Sequence, residues 1–343
     1  MKISLIREKD NSFGGAENYL SRLHIELEKL GFYCKIIRSP FPGFLPSWIR
    51  VMLFNFYLCF KKDQTIYFSL ERITCPDIYR AGDGVHKVFF RNMKKSKLNP
   101  LHFIYQIIER KCFENSKLII ANSHMVKNQI VSTYSIPVSK IVVIYNGVKI
   151  PREKDINLKC DETYEKYNID SSKKIFLFVG HGFDRKGLKS FLILLSQIQK
   201  GFQALVIGGD KDIKKYINFS EELGISDAVF FLGHIKEVNI FYQISDVVIL
   251  PTKYDPFSNV ILEAMSYKNL VITTKQNGAH EILDKDWIMN SHKDYKVVNR
   301  IQEVIEDEGL LNEIKNKNYI LSKKFSIEKN AEDTLKAIKD FYV

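Results

Sequence analysis

The chain has 343 residues, of which 45% are hydrophobic and 27% charged, so we expect about two folded domains and exclude a disordered chain. The net charge is +11, and residues 1–150 carry the surplus, with 23 Lys and Arg against 11 Asp and Glu. The positive potential of this part of the chain attracts anions, so nucleic acid, anionic lipid and a phosphorylated substrate are candidate partners.

The sequence shows no pattern of secretion or of a membrane span. The N-terminal stretch MKISLIREKD has no apolar h-region, so we expect no signal peptide. No uncharged apolar run reaches about 18 residues, so we expect no transmembrane helix. The five Cys stand at positions 34, 59, 75, 112 and 160, without zinc-ligand spacing or a disulfide framework. This usage favours a reducing cytosol.

The first part of the chain alternates apolar strand patterns with helical ones. Residues 3–6 predict a buried strand, and residues 12–31 predict a Gly-Gly turn that leads into a helix with Leu at every third or fourth position. A strand at 34–38 completes a β-loop-α-β unit, which is typical of a parallel sheet with helices on both faces. Further strands are predicted at 64–68, 117–123 and 140–147.

The pattern starts again after residues 151–174, which are charged and poor in strand patterns and predict a linker with a short helix. Helical stretches then separate five short apolar runs, which predict a second α/β domain of the same kind. The C-terminal residues 326–343 have the spacing of an amphipathic helix. The five predicted strands lie at 174–180, 202–209, 228–233, 246–251 and 269–274.

Two glycine-bearing loops after predicted strands are candidate phosphate sites. In FGGAEN (13–18), Gly14 and Gly15 would let backbone N–H groups approach a phosphate at the start of a helix, although a simple tight turn explains the pair equally well. In GHGFDRKGLKSF (180–191), Arg185 and Lys186 stand at a loop-to-helix junction, where open α/β sheets bind ligands. A guanidinium and an ammonium suit a diphosphate, and the alternative is a solvated basic turn.

The stretch YDPFSNVILEAM (254–265) places two carboxylates around the start of an apolar helix. Asp255 follows a predicted strand, and Glu263 lies eight residues later, inside the helix. A carboxylate in an apolar helix requires hydrogen-bond partners, which the protein itself or the paired hydroxyls of a sugar or ribose could supply. In the first domain, Asp83 and His86 of ERITCPDIYRAGDGVHKVFF (71–90) follow another predicted strand, although a lone His is more often structural than catalytic.

The order FGGAEN, then FVG with RKG, then DPFSNVILEAMSYKNLVITTKQNGAHEIL resembles the retaining glycosyltransferases of family four. The resemblance implies the α/β GT-B fold, in which two Rossmann-like doubly wound domains face a central cleft. The first domain would comprise 1–152 joined by a C-terminal helix at 326–343, and the second would comprise 170–325. The family usually has Glu where this chain has Asp255. YRAGDGVH and RKG resemble more narrowly the lipopolysaccharide core heptose glucosyltransferases.

The resemblance also implies roles for single residues. Arg185 and Lys186 would bind the donor diphosphate, Asp255 the hexose hydroxyls, and Glu263 the ribose hydroxyls. Asp83 would face the acceptor or the reacting sugar, and His86 would line the same cleft. Further residues near the donor would be Gly14, Gly15, Gly180 and the backbone N–H groups of Phe257, Ser258, Asn259 and Val260.

These roles imply transfer of a hexose, with glucose first, from a UDP-sugar to a lipid-anchored core oligosaccharide. The alternatives are another UDP-hexose, such as galactose or N-acetylglucosamine, on a different acceptor. We expect no metal and no other cofactor, because Arg185 and Lys186 supply positive charge to the leaving group. Asp210 and Asp212 match a DxD metal motif, but they follow Gly-Gly and predict a surface turn.

The basic first domain suggests an anionic membrane surface as a partner. Residues 41–62 and 87–112 mix aromatic side chains with Lys and Arg, which is typical of an interfacial segment, although a core helix with a solvated basic face is the alternative. We therefore expect a cytoplasmic enzyme peripherally bound to the inner membrane. No nucleic-acid motif is present, so simple anion or nucleic-acid binding is a distant alternative, as is a sugar-nucleotide epimerase, whose catalytic carboxylates are missing.

Overall fold

The structure is a computed structural model that describes residues 2–8, 15–93, 100–152, 160–199 and 201–342. It divides into two compact units. The first unit comprises residues 1–147 and 327–343, and the second comprises 148–326. Each unit is built on its own six-stranded parallel sheet. The expected α/β architecture with two doubly wound domains is confirmed.

The first unit has the strand order β2-β1-β3-β4-β5-β6, and the order reverses direction between β1 and β3. Ile3 of β1 lies opposite Cys34 on one side and Ile66 on the other. Its strands are β1 (Lys2–Ile6), β2 (Tyr33–Ile37), β3 (Ile66–Ser69), β4 (Ile78–Ala81), β5 (Leu118–Ala121) and β6 (Ile141–Val143). Its first helices are α1 (Gly15–Lys29), α2 (Ser47–Phe60), α3 (His86–Asn92), α4 (Pro100–Asn115) and α5 (His124–Tyr134).

The last helix of the chain belongs to the core of the first unit. Helix α14 (Ile327–Tyr342) packs on α1, where Leu20, Leu23 and Leu27 of the predicted Leu stripe are buried. Leu30, the last Leu of that stripe, lies past the end of α1 and is 44% exposed. The two helices meet through apolar side chains at the spacings of one helix face, which is how an amphipathic helix is held in place. The side chains of this contact include Leu20, Leu23, Leu27, Ile327, Ala331, Leu335 and Ile338.

The second unit has the strand order β12-β11-β10-β7-β8-β9, which is the Rossmann order of two mononucleotide-binding halves. The reversal point lies between β7 and β10. Its strands are β7 (Lys174–Val179), β8 (Phe202–Ile207), β9 (Val229–Gly233), β10 (Val247–Leu250), β11 (Leu270–Thr274) and β12 (Ile288–Met289). Its helices are α6 (Cys160–Tyr167), α7 (Phe183–Lys186), α8 (Leu188–Leu195), α9 (Ile213–Glu222), α10 (Asn239–Ile244), α11 (Asn259–Ser266), α12 (Val297–Glu306) and α13 (Glu308–Ser322).

The cysteine usage does not follow the expectation from spacing. Cys59, at the end of α2, forms a disulfide with Cys75, in the loop between β3 and β4, and their Cα atoms are 5.8 Å apart. The pair was not predicted because 16 residues separate its members in sequence and only the packing of α2 brings them together. Across the described ranges, no helix is long and apolar enough to cross a bilayer.

Candidate functional site

The reversal point of the second sheet brings two loops together. Helix α7 begins a few residues after β7 ends, and the stretch before α11 follows β10, which is the neighbour of β7. Gly187 ends α7 at a φ of 84°, and a Cβ atom there would lie 1.9 Å from the carbonyl oxygen of Pro251. Thr252 Oγ1 also donates to the carbonyl oxygen of Arg185 at 2.9 Å. The two loops are therefore held in contact at the edge where doubly wound sheets bind ligands.

An ion-pair cluster occupies this edge. Lys186 Nζ donates to Asp255 Oδ2 at 2.6 Å, and Arg185 Nη1 donates to the same oxygen at 3.1 Å. Lys186 Nζ also lies 3.3 Å from Ser258 Oγ. Lys186 and Asp255 are buried, whereas the side chain of Arg185 is 31% exposed. The cluster thus places one buried and one accessible cation around one carboxylate.

The pKa values of Asp255 and Lys186 both lie below their ordinary values, for different reasons. Burial raises the pKa of the Asp255 carboxyl, but Lys186 and Arg185 lower it by more, so the pKa lies below its ordinary value. Burial lowers the pKa of Lys186, and the charge of Asp255 offsets this only in part. Asp255 is therefore an anion at neutral pH, and it holds both cations in place.

A glycine and an aspartate near this cluster fix its position. A Cβ atom on Gly180 would lie 2.9 Å from Lys186 Cγ, so the glycine leaves room for the lysine side chain. Asp210 Oδ2 accepts the N–H of Phe183, the first residue of α7, at 2.7 Å. Lys211 and Asp212 are exposed in a turn, as the sequence predicted. Asp210 in addition holds the start of the helix that carries Arg185 and Lys186.

Helix α11 carries the second carboxylate. Glu263 is half-buried and accepts a hydrogen bond from the hydroxyl of Tyr242 on α10 at 3.2 Å. Its charge raises the pKa of Lys186, which places it within electrostatic reach of the cluster. Glu263 therefore combines a protein partner with partial exposure, so the structural and the ligand-binding interpretations both find support in its surroundings.

The start of α11 differs from the expectation at one residue. Phe257 and Ser258 are buried, and Asn259 and Val260 are half-buried in the first turn. The N–H of Ser258 donates to Asn277 Oδ1 at 3.1 Å, so this group is occupied by the protein. Ser258 faces Lys186 through its hydroxyl instead. Asn277 Oδ1 also accepts the N–H of Ala279 at 3.1 Å, and one amide thus organises two loops.

In the first unit, Asp83 lies among charges at the carboxyl ends of three neighbouring strands. Its Oδ2 lies 3.9 Å from Nη1 of Arg7, after β1, and 3.9 Å from Nη1 of Arg72, after β3. Arg7 also contacts Glu71 at 3.0 Å. Burial raises the pKa of Glu71 to about 7, with Asp83 and Glu8 adding to the rise and Arg7 opposing it. Asp83 is the exposed member of this group.

His86 is a half-buried residue at the start of α3. Its N–H donates to Glu109 Oε1 at 2.6 Å, and its Nε2 lies 3.0 Å from His102 Nδ1. Burial and the charge of Arg72 lower the pKa of His86 to about 4, so the ring is neutral at physiological pH. Glu109 is fully buried and also accepts from Arg72 Nε at 2.8 Å and the Tyr134 hydroxyl at 2.6 Å.

The two glycines predicted near the donor phosphate lie at the start of the first unit. Gly14 lies outside the described residues, and Gly15 is the first residue of α1. Within the described part of the chain, no three His, Cys, Asp or Glu side chains are grouped so that they could hold a metal ion.

Two family models match the chain. The model for group 1 glycosyl transferases matches residues 160–321, and the model for glycosyltransferase family 4 matches residues 79–152. The first match contains the cluster around Asp255, and the second contains Asp83 and His86. Both units match glycosyltransferase models, and the fold is GT-B. The resemblance seen in the sequence is thereby confirmed.

Several curated relatives of this chain are described as glycosyltransferases. An uncharacterized glycosyltransferase of Methanocaldococcus jannaschii is 29% identical over 236 residues, which cover 64% of this chain and 59% of that protein. The O-antigen chain mannosyltransferase RfbU of Salmonella typhimurium is 26% identical over 219 residues, which cover 62% of this chain and 54% of that protein. The matches therefore span less than two thirds of either relative.

Solved structures match the whole GT-B chain. WaaG, a glycosyltransferase involved in lipopolysaccharide biosynthesis, superposes with a TM-score of 0.83 at 16% identity and covers 98% of this chain and 99% of its own. Anabaena HepE in complex with UDP-glucose gives a TM-score of 0.77 at 17% identity, with 99% of this chain and 100% of its own chain covered. At these identities the likeness concerns the fold.

Sequence reasoning missed the role of the residues whose hydrogen bonds hold the candidate side chains and their helices in place. Tyr242 holds Glu263, Asn277 holds Ser258, Asp210 holds α7 and Glu109 holds α3. The NGAHE segment that contains Asn277 was part of the recognised pattern, so it offered a signal. Nothing in the local sequence marks Tyr242 or Glu109, because each acts on a residue more than 20 positions away.

Proposed function

We propose that this protein transfers a hexose from a UDP-sugar to a glycan acceptor with retention of the anomeric configuration. The observation that carries the proposal is the cluster at the reversal point of the second sheet, where Arg185 and Lys186 converge on Asp255. Two fixed cations beside carboxylates match a nucleotide sugar, which has a diphosphate and many hydroxyls. The similar fold of HepE, which was solved with UDP-glucose, supports UDP-glucose as the first donor to examine.

The proposed chemistry uses the cations on the leaving group. The bond between the anomeric carbon and the donor phosphate oxygen breaks, and its electron pair departs with UDP. Arg185 and Lys186 face the charge that grows on that phosphate, so they stabilise the transition state more than the ground state. The acceptor hydroxyl forms the new bond on the same face of the sugar and passes its proton to the departing phosphate oxygen of UDP.

The carboxylates are assigned to the neutral ends of the donor. Asp255 would accept hydrogen bonds from hexose hydroxyls, and Glu263 would accept them from the ribose. Asp255 pairs with both Lys186 and Arg185, so its charge offsets part of the cost of burying Lys186 and leaves a net positive charge for a diphosphate. Asp255 is one methylene shorter than the Glu usual in the family, so a different hexose, such as galactose or N-acetylglucosamine, is the alternative donor.

For the acceptor, we propose a chemical class and not a single molecule. We infer a heptose of a lipid-anchored lipopolysaccharide or lipooligosaccharide core, on the resemblance of YRAGDGVH and RKG and on the fold shared with WaaG, which is involved in lipopolysaccharide biosynthesis. A different glycan or lipid acceptor is the alternative. Asp83 would face this acceptor, and such a substrate would place the enzyme at the cytoplasmic face of the inner membrane.

Calorimetric titration with UDP-glucose, UDP-galactose and UDP-N-acetylglucosamine tests the donor. Each titration is done with and without a chelator, because the proposal needs no metal. Lys186→Ala should weaken the binding of the preferred donor by about tenfold or more, since a charge-assisted hydrogen bond to a phosphate is lost. Lys189→Ala is the matched control, because Lys189 lies three residues further on and contacts the Phe219 ring instead.

The outcomes separate the proposals. Tight binding of one UDP-sugar that Lys186→Ala weakens and Lys189→Ala leaves unchanged supports the assignment, and the anomeric proton signals of the product then report retention or inversion. Binding that vanishes with the chelator would remove the metal-free mechanism. No binding of any UDP-sugar would contradict the donor class itself. Turnover should also fall by orders of magnitude in Glu263→Ala.

A further inference from the structure

Helix α2 has apolar side chains on both of its faces. Its inner face is buried through Val51, Phe54 and Leu58. Its outer face exposes side chains at four-residue intervals, with Phe56 75% exposed and Phe60 82% exposed. A helix that is apolar all round is normally buried on all sides, whereas the outer face of α2 is left uncovered by the described residues of the chain. This outer stripe comprises Trp48, Met52, Leu53, Phe56 and Phe60, with Phe44 in the preceding loop.

The inner face of α2 is firmly fixed, so the exposure of its outer face is not a sign of a loose helix. Asn55 Oδ1 accepts the N–H of Thr74 at 2.8 Å, and the Cys59–Cys75 disulfide joins the end of α2 to the same loop. Arg50 is buried and donates to Glu8 Oε1 at 2.6 Å. The positive charge on α2 therefore points inward, and a core helix with a solvated basic face, the alternative from sequence, does not describe it.

The surroundings of the outer stripe are basic. Residues 30–62 contain no Asp or Glu and expose Lys35 and Lys61, and the described residues of 84–108 contain no Asp or Glu and expose Lys87 and Arg91. The second segment includes the first part of α4, which packs beside α2 and exposes Phe103 and Ile107. A surface that combines exposed aromatic side chains with an excess of Lys and Arg is complementary to an anionic bilayer interface.

We propose that the outer stripe of α2 is a membrane-docking surface that inserts its aromatic side chains between the headgroups of an anionic bilayer. The helix has 14 residues, which is too short to span a bilayer and suffices to lie along one. A second copy of the chain is a poorer occupant, because two surfaces with the same excess of positive charge would repel each other. The proposal does not depend on sugar transfer, although a docked enzyme would meet a lipid-anchored acceptor.

Vesicle co-sedimentation of the full chain tests the surface. Wild type should bind vesicles of phosphatidylcholine with phosphatidylglycerol and should bind pure phosphatidylcholine vesicles more weakly. Salt should weaken its binding to the anionic vesicles. Phe56→Ser/Phe60→Ser should lower the partition coefficient by about tenfold or more, because two exposed phenyl groups no longer enter the interface. Val138→Ser/Ile320→Ser is the matched control, since both of its residues are exposed apolar side chains elsewhere.

Tryptophan emission gives an independent readout. The chain has two Trp residues, of which Trp48 is 39% exposed and Trp287 is 6% exposed. Anionic vesicles should shift the emission to shorter wavelength, and the shift should disappear in Trp48→Phe. Absence of vesicle binding by wild type, or equal binding by Phe56→Ser/Phe60→Ser, would overturn the proposal. A dimer that dissociates in that variant would overturn it as well, because the stripe would then join two copies.

The donor titration distinguishes this proposal from the proposed function. Phe56→Ser/Phe60→Ser should bind the UDP-sugar as wild type does, because the stripe belongs to the first unit and the cation cluster to the second. Loss of vesicle binding with intact donor binding supports the docking surface alone. Intact vesicle binding in a chain that binds no UDP-sugar would leave the docking surface standing and remove the proposed function.

Discussion

Gly180 lies under the side chain of Lys186 at a distance that leaves no room for a methyl group. Its backbone is not in the left-handed region, so the restriction comes from the lysine and not from the φ angle. Gly180→Ala should therefore displace Lys186 from Asp255, since the new Cβ would lie 2.9 Å from Lys186 Cγ. We expect UDP-sugar affinity to fall about tenfold and the free energy of unfolding to fall by about 1–2 kcal/mol.

Calorimetry and chemical denaturation measure the two effects. Gly201→Ala is the control, because a Cβ atom at Gly201 would meet nothing within 4 Å. Wild-type donor affinity in Gly180→Ala would show that the position of Lys186 does not limit binding. A fall of equal size in Gly201→Ala would point to a general cost of Ala in these loops.

The sequence identified the charged residues of the site but not their pairing. Arg185, Lys186 and Asp255 stand out because charges follow apolar strand runs, and parallel strands present their carboxyl ends at one edge. The Lys186–Asp255 pair joins residues 69 positions apart, and only the order of β7 and β10 makes them neighbours. The same limit applies to Tyr242 and Glu263. Local sequence patterns identify the charged residues of the site, and the strand order determines which of them contact each other.

At the scale of elements, α7 is a four-residue helix that depends on Asp210 for its start. Asp210→Ala leaves the N–H of Phe183 without its carboxylate, which should lower the free energy of unfolding by about 1 kcal/mol. Because Arg185 and Lys186 follow within one turn, we also expect turnover to fall several-fold. Asp212→Ala should have little effect, since Asp212 is exposed and its side chain makes no cap hydrogen bond.

This pair of variants separates capping from metal binding. A DxD metal site would need both carboxylates, so both variants would lose activity and respond to added Mg²⁺ or Mn²⁺. A cap needs Asp210 alone and gives no metal response. Denaturation curves and initial rates, measured with a chelator and with each metal, provide the comparison.

Most elements could be predicted because their apolar periodicity is strong. The predicted strands at 3–6 and 34–38 are observed as β1 and β2, and the helix within 12–31 is observed as α1. Strands β7 and β8 end earlier than their apolar runs suggest, because the glycines at positions 180 and 208 belong to loops. Strand β12 escaped prediction since it has two residues and no periodicity of its own. The disulfide between Cys59 and Cys75 was not predicted, because it depends on the packing of α2 against the loop between β3 and β4.

At the scale of the whole molecule, the chain returns to its first unit after completing the second. Helix α14 therefore belongs by sequence to the end of the chain and by packing to the beginning. Its apolar stripe fills the core beside α1. The first unit cannot complete this core before the last residues are present, so the two units are linked by more than the connection at residue 148.

Leu335→Asp tests how far the first unit depends on α14. Leu335 is buried in the core cluster with α1, so a carboxylate there should cost on the order of 4 kcal/mol. Hydrogen exchange should show lost amide protection in β1 and α1 and retained protection in β7 and β8, because the second unit has its own core. Lys336→Asp, at the exposed neighbouring position, should leave both units protected. Uniform loss across both units would show instead that they unfold together, and an unchanged first unit would show that α14 is dispensable.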